Sequence, residues 1–196
     1  MNRFMTGRQP LRHQEGASLI EVLVAVLILT VGLLSMIALH AASMRYGKMA
    51  EFKTTATQLA EDLADRMRSN LAGVYSGDYV ATLESNDNLT QQSVPEIPNC
   101  TATDGTCETI LGKAVAKRDL AEWINQAYPN LPGLGLVMQR PGGANSSVMD
   151  VWIGWLEPTG RTADAAGDAL INDAYACPAS MKASAQLRCM RFSFTL

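Results

Sequence analysis

Residues 16–39 read GASLIEVLVAVLILTVGLLSMIAL, and Glu21 is the only charged side chain among them. The eighteen positions from Val22 to Leu39 carry no charge at all. A helix of that length crosses a bilayer. Twelve of those positions are Val, Leu or Ile. Each contributes roughly −0.3 to −0.6 kcal/mol to insertion, or about −5 kcal/mol together. A carboxylate at mid-membrane costs on the order of 3 kcal/mol, so insertion still wins. An acid at the border of such a run calls for a cationic partner and marks a functional position.

Upstream, residues 1–16 carry Arg3, Arg8 and Arg12 against one acid, Glu15. Positive charge beside a hydrophobic span stays cytoplasmic, which places the C-terminal part on the outer side. Two processing sites are conceivable. The stretch HAASMR at 40–45 offers a weak secretory-type site after the apolar run. Gly16-Ala17 offers one before it, where the absence of a Cβ lets a protease approach the backbone.

The ten residues Gly16-Ala17-Ser18-Leu19-Ile20-Glu21-Val22-Leu23-Val24-Ala25 resemble the class III signal of type IV pilins and pseudopilins. The resemblance implies cleavage after Gly16 by a prepilin peptidase on the cytoplasmic side. It implies N-methylation of Ala17, with the apolar helix kept on the chain. Ala17 stands where the family usually has Phe or another bulky apolar residue. Glu21 becomes the fifth residue of the mature chain. A freed α-amine at Ala17 lies one helical turn from Glu21, near the positive end of the helix dipole. In a bundle of staggered subunits, Glu21 of one copy can neutralise the amine of its neighbour, which makes Glu21 the expected assembly residue. The rival reading of Glu21 is an acid in the first turn that snorkels to the interface.

Beyond the apolar run, Phe52, Ala56, Leu59, Ala60, Leu63 and Met67 recur at steps of three and four. That spacing gives one buried stripe on a helix. No proline interrupts residues 17–70, so the sequence predicts one helix of about 80 Å, with its transmembrane part at about 19–42. Asn70 and Gly73 supply stop signals. Residues 71–112 are rich in Ser, Thr, Asn, Asp, Gly and Pro and read as a long loop with room for a short strand. Residues 113–127 read as a helix ended by Pro129 and Pro132. Strand patterns cover 134–139, 148–156 and 187–196, with Gly142 and Gly143 at a turn. The expected fold is α+β, with a long N-terminal helix packed on a small antiparallel sheet in a head at 113–196. The succession of the DLAEW helix, a turn, the VWIGWLEP strand and a final cysteine-bearing strand is similar to the PilV family of minor pilins.

The formal charge is −3, and removal of a leader with three arginines and one glutamate takes it to −5. That balance opposes general nucleic-acid binding, which wants a basic face. All four cysteines lie beyond residue 99, on the side expected to face outward. An even count there favours disulfides. Three connectivities are possible, and Cys100–Cys107 with Cys177–Cys189 is the expected one. No Cys-x-x-Cys occurs, and His13 and His40 are remote from the cysteines, so neither a metal nor another cofactor is expected. Arg140-Pro141-Gly142-Gly143 lacks the Lys-Ser/Thr of a phosphate loop and reads as a turn. Trp123, Trp152 and Trp155 read as core and interface residues. The acids at 61, 62 and 65 read as a solvated helix face.

The sequence therefore predicts a non-enzymatic minor type IV pilin, single-pass in the inner membrane with its head in the periplasm and present in the pilus. Its expected partners are prepilin peptidase, membrane lipid, and the major and other minor pilins, reached through the N-terminal helix. A type II secretion minor pseudopilin uses the same N-terminal device and is the alternative. A membrane-anchored periplasmic enzyme is a third reading, for which no catalytic set is visible.

Overall fold

The computed structural model describes residues 18–86, 88–101, 106–143, 146–157, 177–181 and 187–196. The expected leader, 1–16, lies outside them, as does Ala17. Helix α1 runs from Leu19 to Ser69, followed by α2 (Leu71–Tyr75), β1 (Ala81–Leu83), α3 (Thr106–Ala127), β2 (Gly135–Gln139), β3 (Val148–Leu156), a 3-10 turn (Ala179–Met181) and β4 (Leu187–Thr195). The chain divides into two units with the boundary between Met44 and Arg45.

In the first unit the helix is apolar on every side. Each Val, Leu, Ile and Met from Leu19 to Leu39 is at least 51% exposed. In the second unit the same helix becomes amphipathic. Ala56, Ala60 and Ala64 recur at steps of four, as do Leu59, Leu63 and Met67, and all six are buried. The alanines let neighbouring elements come close, and the larger side chains fill the space between them. Trp123 of α3 is fully buried against this face, and its Nε1 donates to the carbonyl of Leu59 at 2.8 Å.

The four strands form an antiparallel sheet in the order β1-β2-β3-β4. Alternation separates its faces. Leu136, Met138, Met149, Val151, Ile153 and Trp155 join the buried cluster of α1 and α3, with Met190, Phe192 and Phe194 at its margin. On the opposite face Val137, Met181, Leu187 and Cys189 form a second, smaller core. Gly135 and Gly154 are paired across β2 and β3 on that face. A Cβ on Gly154 would lie 3.1 Å from both Cys189 Sγ and Met181 Sδ. The two glycines thus leave a notch for sulfur.

The region expected to be one loop, 71–112, is more structured than its composition suggests. It holds α2, β1 and the start of α3, which begins at Thr106 and not at 113. The reason is a crossing of glycines. A Cβ on Gly73 would lie 2.7 Å from the carbonyl of Gly112, so the two helices meet backbone to backbone. Gly112, the last residue of the expected loop, lies inside α3 and serves there as a packing site. Asn70 ends α1 and also caps α2, its side chain accepting from Gly73 N at 3.2 Å. The strands at 134–139 and 187–196 begin or end one residue short of the expected bounds, at Gly135 and Thr195.

A methyl group on Gly73 would also sit 2.5 Å from Asn70 Nδ2. Gly73→Ala should therefore destabilise the head by about 1–3 kcal/mol. Gly47, also on α1 but in open space, should accept alanine with a gain of up to about 1 kcal/mol. Urea unfolding of the full chain in detergent, followed by tryptophan fluorescence, separates the two.

Candidate functional site

The N-terminal site is built by the first turn of α1. The carbonyl of Ser18 accepts from Glu21 N at 2.9 Å and from Val22 N at 3.2 Å, which starts the helical ladder. Glu21 lies in that first turn, where the unsatisfied N–H groups and the dipole favour negative charge. Its carboxylate is exposed. The polar side chains of the following run turn back on their own helix. Thr30 Oγ1 donates to the Leu27 carbonyl at 2.8 Å, and Ser35 Oγ donates to the Val31 carbonyl at 3.0 Å. Hydroxyls satisfied in this way suit a medium without water. By length and composition α1 can cross a membrane.

Residues 11–37 match the family model of the prokaryotic N-terminal methylation motif. The methylation motif covers Gly16, Ala17 and Glu21 and most of the apolar run. It supports a type IV pilin-like N-terminus, a kind of chain that is generally structural. No curated protein and no solved structure matches the chain. Of the residues assigned to processing, Gly16 and Ala17 lie outside the described set. Glu21 lies within it, exposed in the first turn of α1.

Beyond the methylation motif, the head carries two bridges, Cys100–Cys107 and Cys177–Cys189. The first joins the loop before α3 to the first turn of that helix. The second ties the segment before the 3-10 turn to β4, beside Met181. Among the described residues no group of three His, Cys, Asp or Glu converges as a metal site would.

Three polar groupings escaped the sequence reading. The first joins α1, α2 and α3. Asn70 Nδ2 donates to the Gly112 carbonyl at 2.8 Å and to Tyr79 Oη at 3.2 Å, and the Tyr79 hydroxyl donates to Asp119. Arg66 reaches Asp62 at 2.9 Å, Glu122 at 3.1 Å and Asp119 at 3.6 Å. Burial opposes the charge on Arg66, but the hydrogen bonds it donates to Asp62 and Glu122 outweigh that and hold its pKa above the ordinary value. Hydrogen bonds from Arg118 and Arg66 hold the Glu122 carboxyl below the usual range. Burial, then the bond to Asp119, raises the Tyr79 hydroxyl above its ordinary value.

The second grouping centres on Asp150, which is 3% exposed. It accepts from Arg191 Nη2 at 2.6 Å and from the Ser193 hydroxyl, while the Arg191 guanidinium lies 5.1 Å from the Trp152 ring centroid. An acid inside the apolar run VMDVWIGWL was the available signal. The third is Arg140, whose Nη1 donates to the Val74 carbonyl at 2.9 Å and whose Nη2 donates to the Ser146 carbonyl at 2.5 Å. It closes the C-terminal end of α2 as a charged cap. Nothing in these three groupings resembles a catalytic set. They hold the head together.

Tyr79→Phe should cost about 1–3 kcal/mol near neutral pH, because Asp119 and Asn70 lose a buried partner. The hydroxyl titrates higher in the fold than in the unfolded chain, whose value is 10.0. Its stabilising contribution is therefore whole below that pH and is lost as pH rises above it. Thermal melts should fall more steeply above pH 10 for the wild type than for Tyr79→Phe.

Proposed function

We propose that the chain is a minor type IV pilin of PilV type, a non-enzymatic subunit that helps initiate or promote pilus assembly. A prepilin peptidase cuts after Gly16, and Ala17 becomes the methylated N-terminus. Val22 to Leu39 hold the subunit in the inner membrane, with the head on the periplasmic side. The carrying observation is a lone carboxylate in the first turn of a helix whose large apolar side chains from Leu19 to Leu39 are all uncovered, within a matched methylation motif. The two bridged head loops support an oxidising compartment for residues 100–189.

The mechanism follows from electrostatics in a dry stalk. An amine at Ala17 and a carboxylate at Glu21 are each expensive to desolvate alone. Set against one another between neighbouring subunits, they cancel that cost and fix the axial stagger. The apolar helices supply the cohesion, and the charge pair supplies the register. Major and other minor pilins, which share this N-terminal device, are the partners.

Two measurements test the reading. The intact mass of the native protein should correspond to a chain starting at Ala17, with or without one methyl group. A start at Met1 or near Ala42 contradicts it. Breaking a buried charge pair costs about 3–5 kcal/mol. Glu21→Ala should therefore enter the membrane normally yet fall by more than an order of magnitude in sheared filaments. Deletion of the gene should remove surface filaments; loss of exoprotein release with filaments intact would reassign the chain to a secretion system.

A further inference from the structure

Seven arginines fall within the described residues, and six of them are engaged. Arg66, Arg68, Arg118, Arg188 and Arg191 form ion pairs. Arg140 donates to three backbone carbonyls. Arg45 alone makes no hydrogen bond or ion pair among the described residues. It is exposed, and so are its neighbours Met44 and Tyr46, at 66% and 65%. The next cation along the helix, Lys48, is already neutralised by Glu51 at 2.7 Å.

The position of Arg45 along the helix is informative. It is the first permanently charged residue after the uncharged run that ends at Leu39. Arg45 lies six helical steps beyond Leu39, or about 9 Å of rise. Side chains on a helix lean toward its N-terminus, so the arginine bends back toward the apolar run. The headgroup layer on one side of a bilayer is roughly 5–8 Å deep. The guanidinium therefore falls within that layer, beside a tyrosine of the kind that belongs at membrane interfaces. A planar fork of N–H donors matches the oxygens of a phosphate.

We propose that Arg45, flanked by Tyr46, is a binding site for the phosphodiester of a membrane phospholipid in the leaflet from which the head emerges. The inference rests on the membrane-anchored reading given above. The lipid phosphate neutralises the one arginine left unpaired among the described residues, and the tyrosine lies among the glycerol and headgroup atoms. The contact sets the depth of the helix in the bilayer. It must be released when the subunit leaves the membrane, so it also opposes premature extraction.

The test uses the full chain in detergent micelles supplied with phosphatidylglycerol, phosphatidylcholine or diacylglycerol, read by native mass spectrometry. A retained adduct with either phospholipid, but not with diacylglycerol, is expected. Arg45→Gln should reduce that adduct about fivefold, Arg45→Lys should keep part of it, and Arg68→Gln should leave it unchanged. Equal retention by Arg45→Gln, equal binding of diacylglycerol, or displacement by millimolar inorganic phosphate would each overturn the site. Partition of the chain into phosphatidylglycerol vesicles is measured alongside. Normal partition with an unchanged Arg45→Gln adduct defeats the lipid site alone, whereas failure to partition defeats the membrane reading and this site with it.

Discussion

One face of one helix holds the head together. Ala56, Ala60 and Ala64 open a shallow track along α1, and Trp123 fits against it with its indole N–H on the Leu59 carbonyl. That carbonyl belongs to the middle of a helix, where a side-chain donor reaches the backbone only if the intervening residues are small. Larger residues in the track would push α3 outward, and the sheet residues that share its cluster would lose their cover. The large buried side chains, Trp155, Met149, Ile153 and Leu136, are placed by the same requirement.

The same helix has two kinds of surface. Before Met44 the helix has no stripe, and its apolar side chains point in all directions. After Arg45 it has a stripe and an ionic face, with Asp62 on Arg66 and Asp65 on Arg68. A helix apolar on every side suits lipid or a bundle of like helices, and an amphipathic one suits a globular core. The change occurs without proline or a break in hydrogen bonding. What changes is only which residues stand at the steps of three and four.

Much of this was legible from the residues. The uncharged run and its lone acid disclosed the apolar half of α1, and the alternation of Met190, Phe192 and Phe194 with Arg191, Ser193 and Thr195 disclosed the last long strand of the sheet. The short elements were not legible, because three residues of β1 and five of α2 carry no periodicity to read. The first two turns of α3 were not legible either, since a glycine chosen for close approach, as Gly112 is, looks the same in sequence as one in a loop. Gly135 and Gly154 acquire meaning only when the register sets them side by side under Met181. Within the candidate site, Glu21 stood out by being the sole charge in its surroundings. Arg45 stood out only once every other described arginine had been matched to a partner.

The place of β4 in the chain has a consequence for biosynthesis. Every other described element leaves the ribosome before it, and α1 leaves first. The apolar half of α1 is therefore delivered before β3 has its second neighbour. Until β4 arrives, β3 presents nine residues of open edge, a template for stray pairing. A nascent head tethered to a surface by its own N-terminus is kept apart from its siblings during that interval. The Cys177–Cys189 bridge then holds the last described strand covalently to the segment before the 3-10 turn.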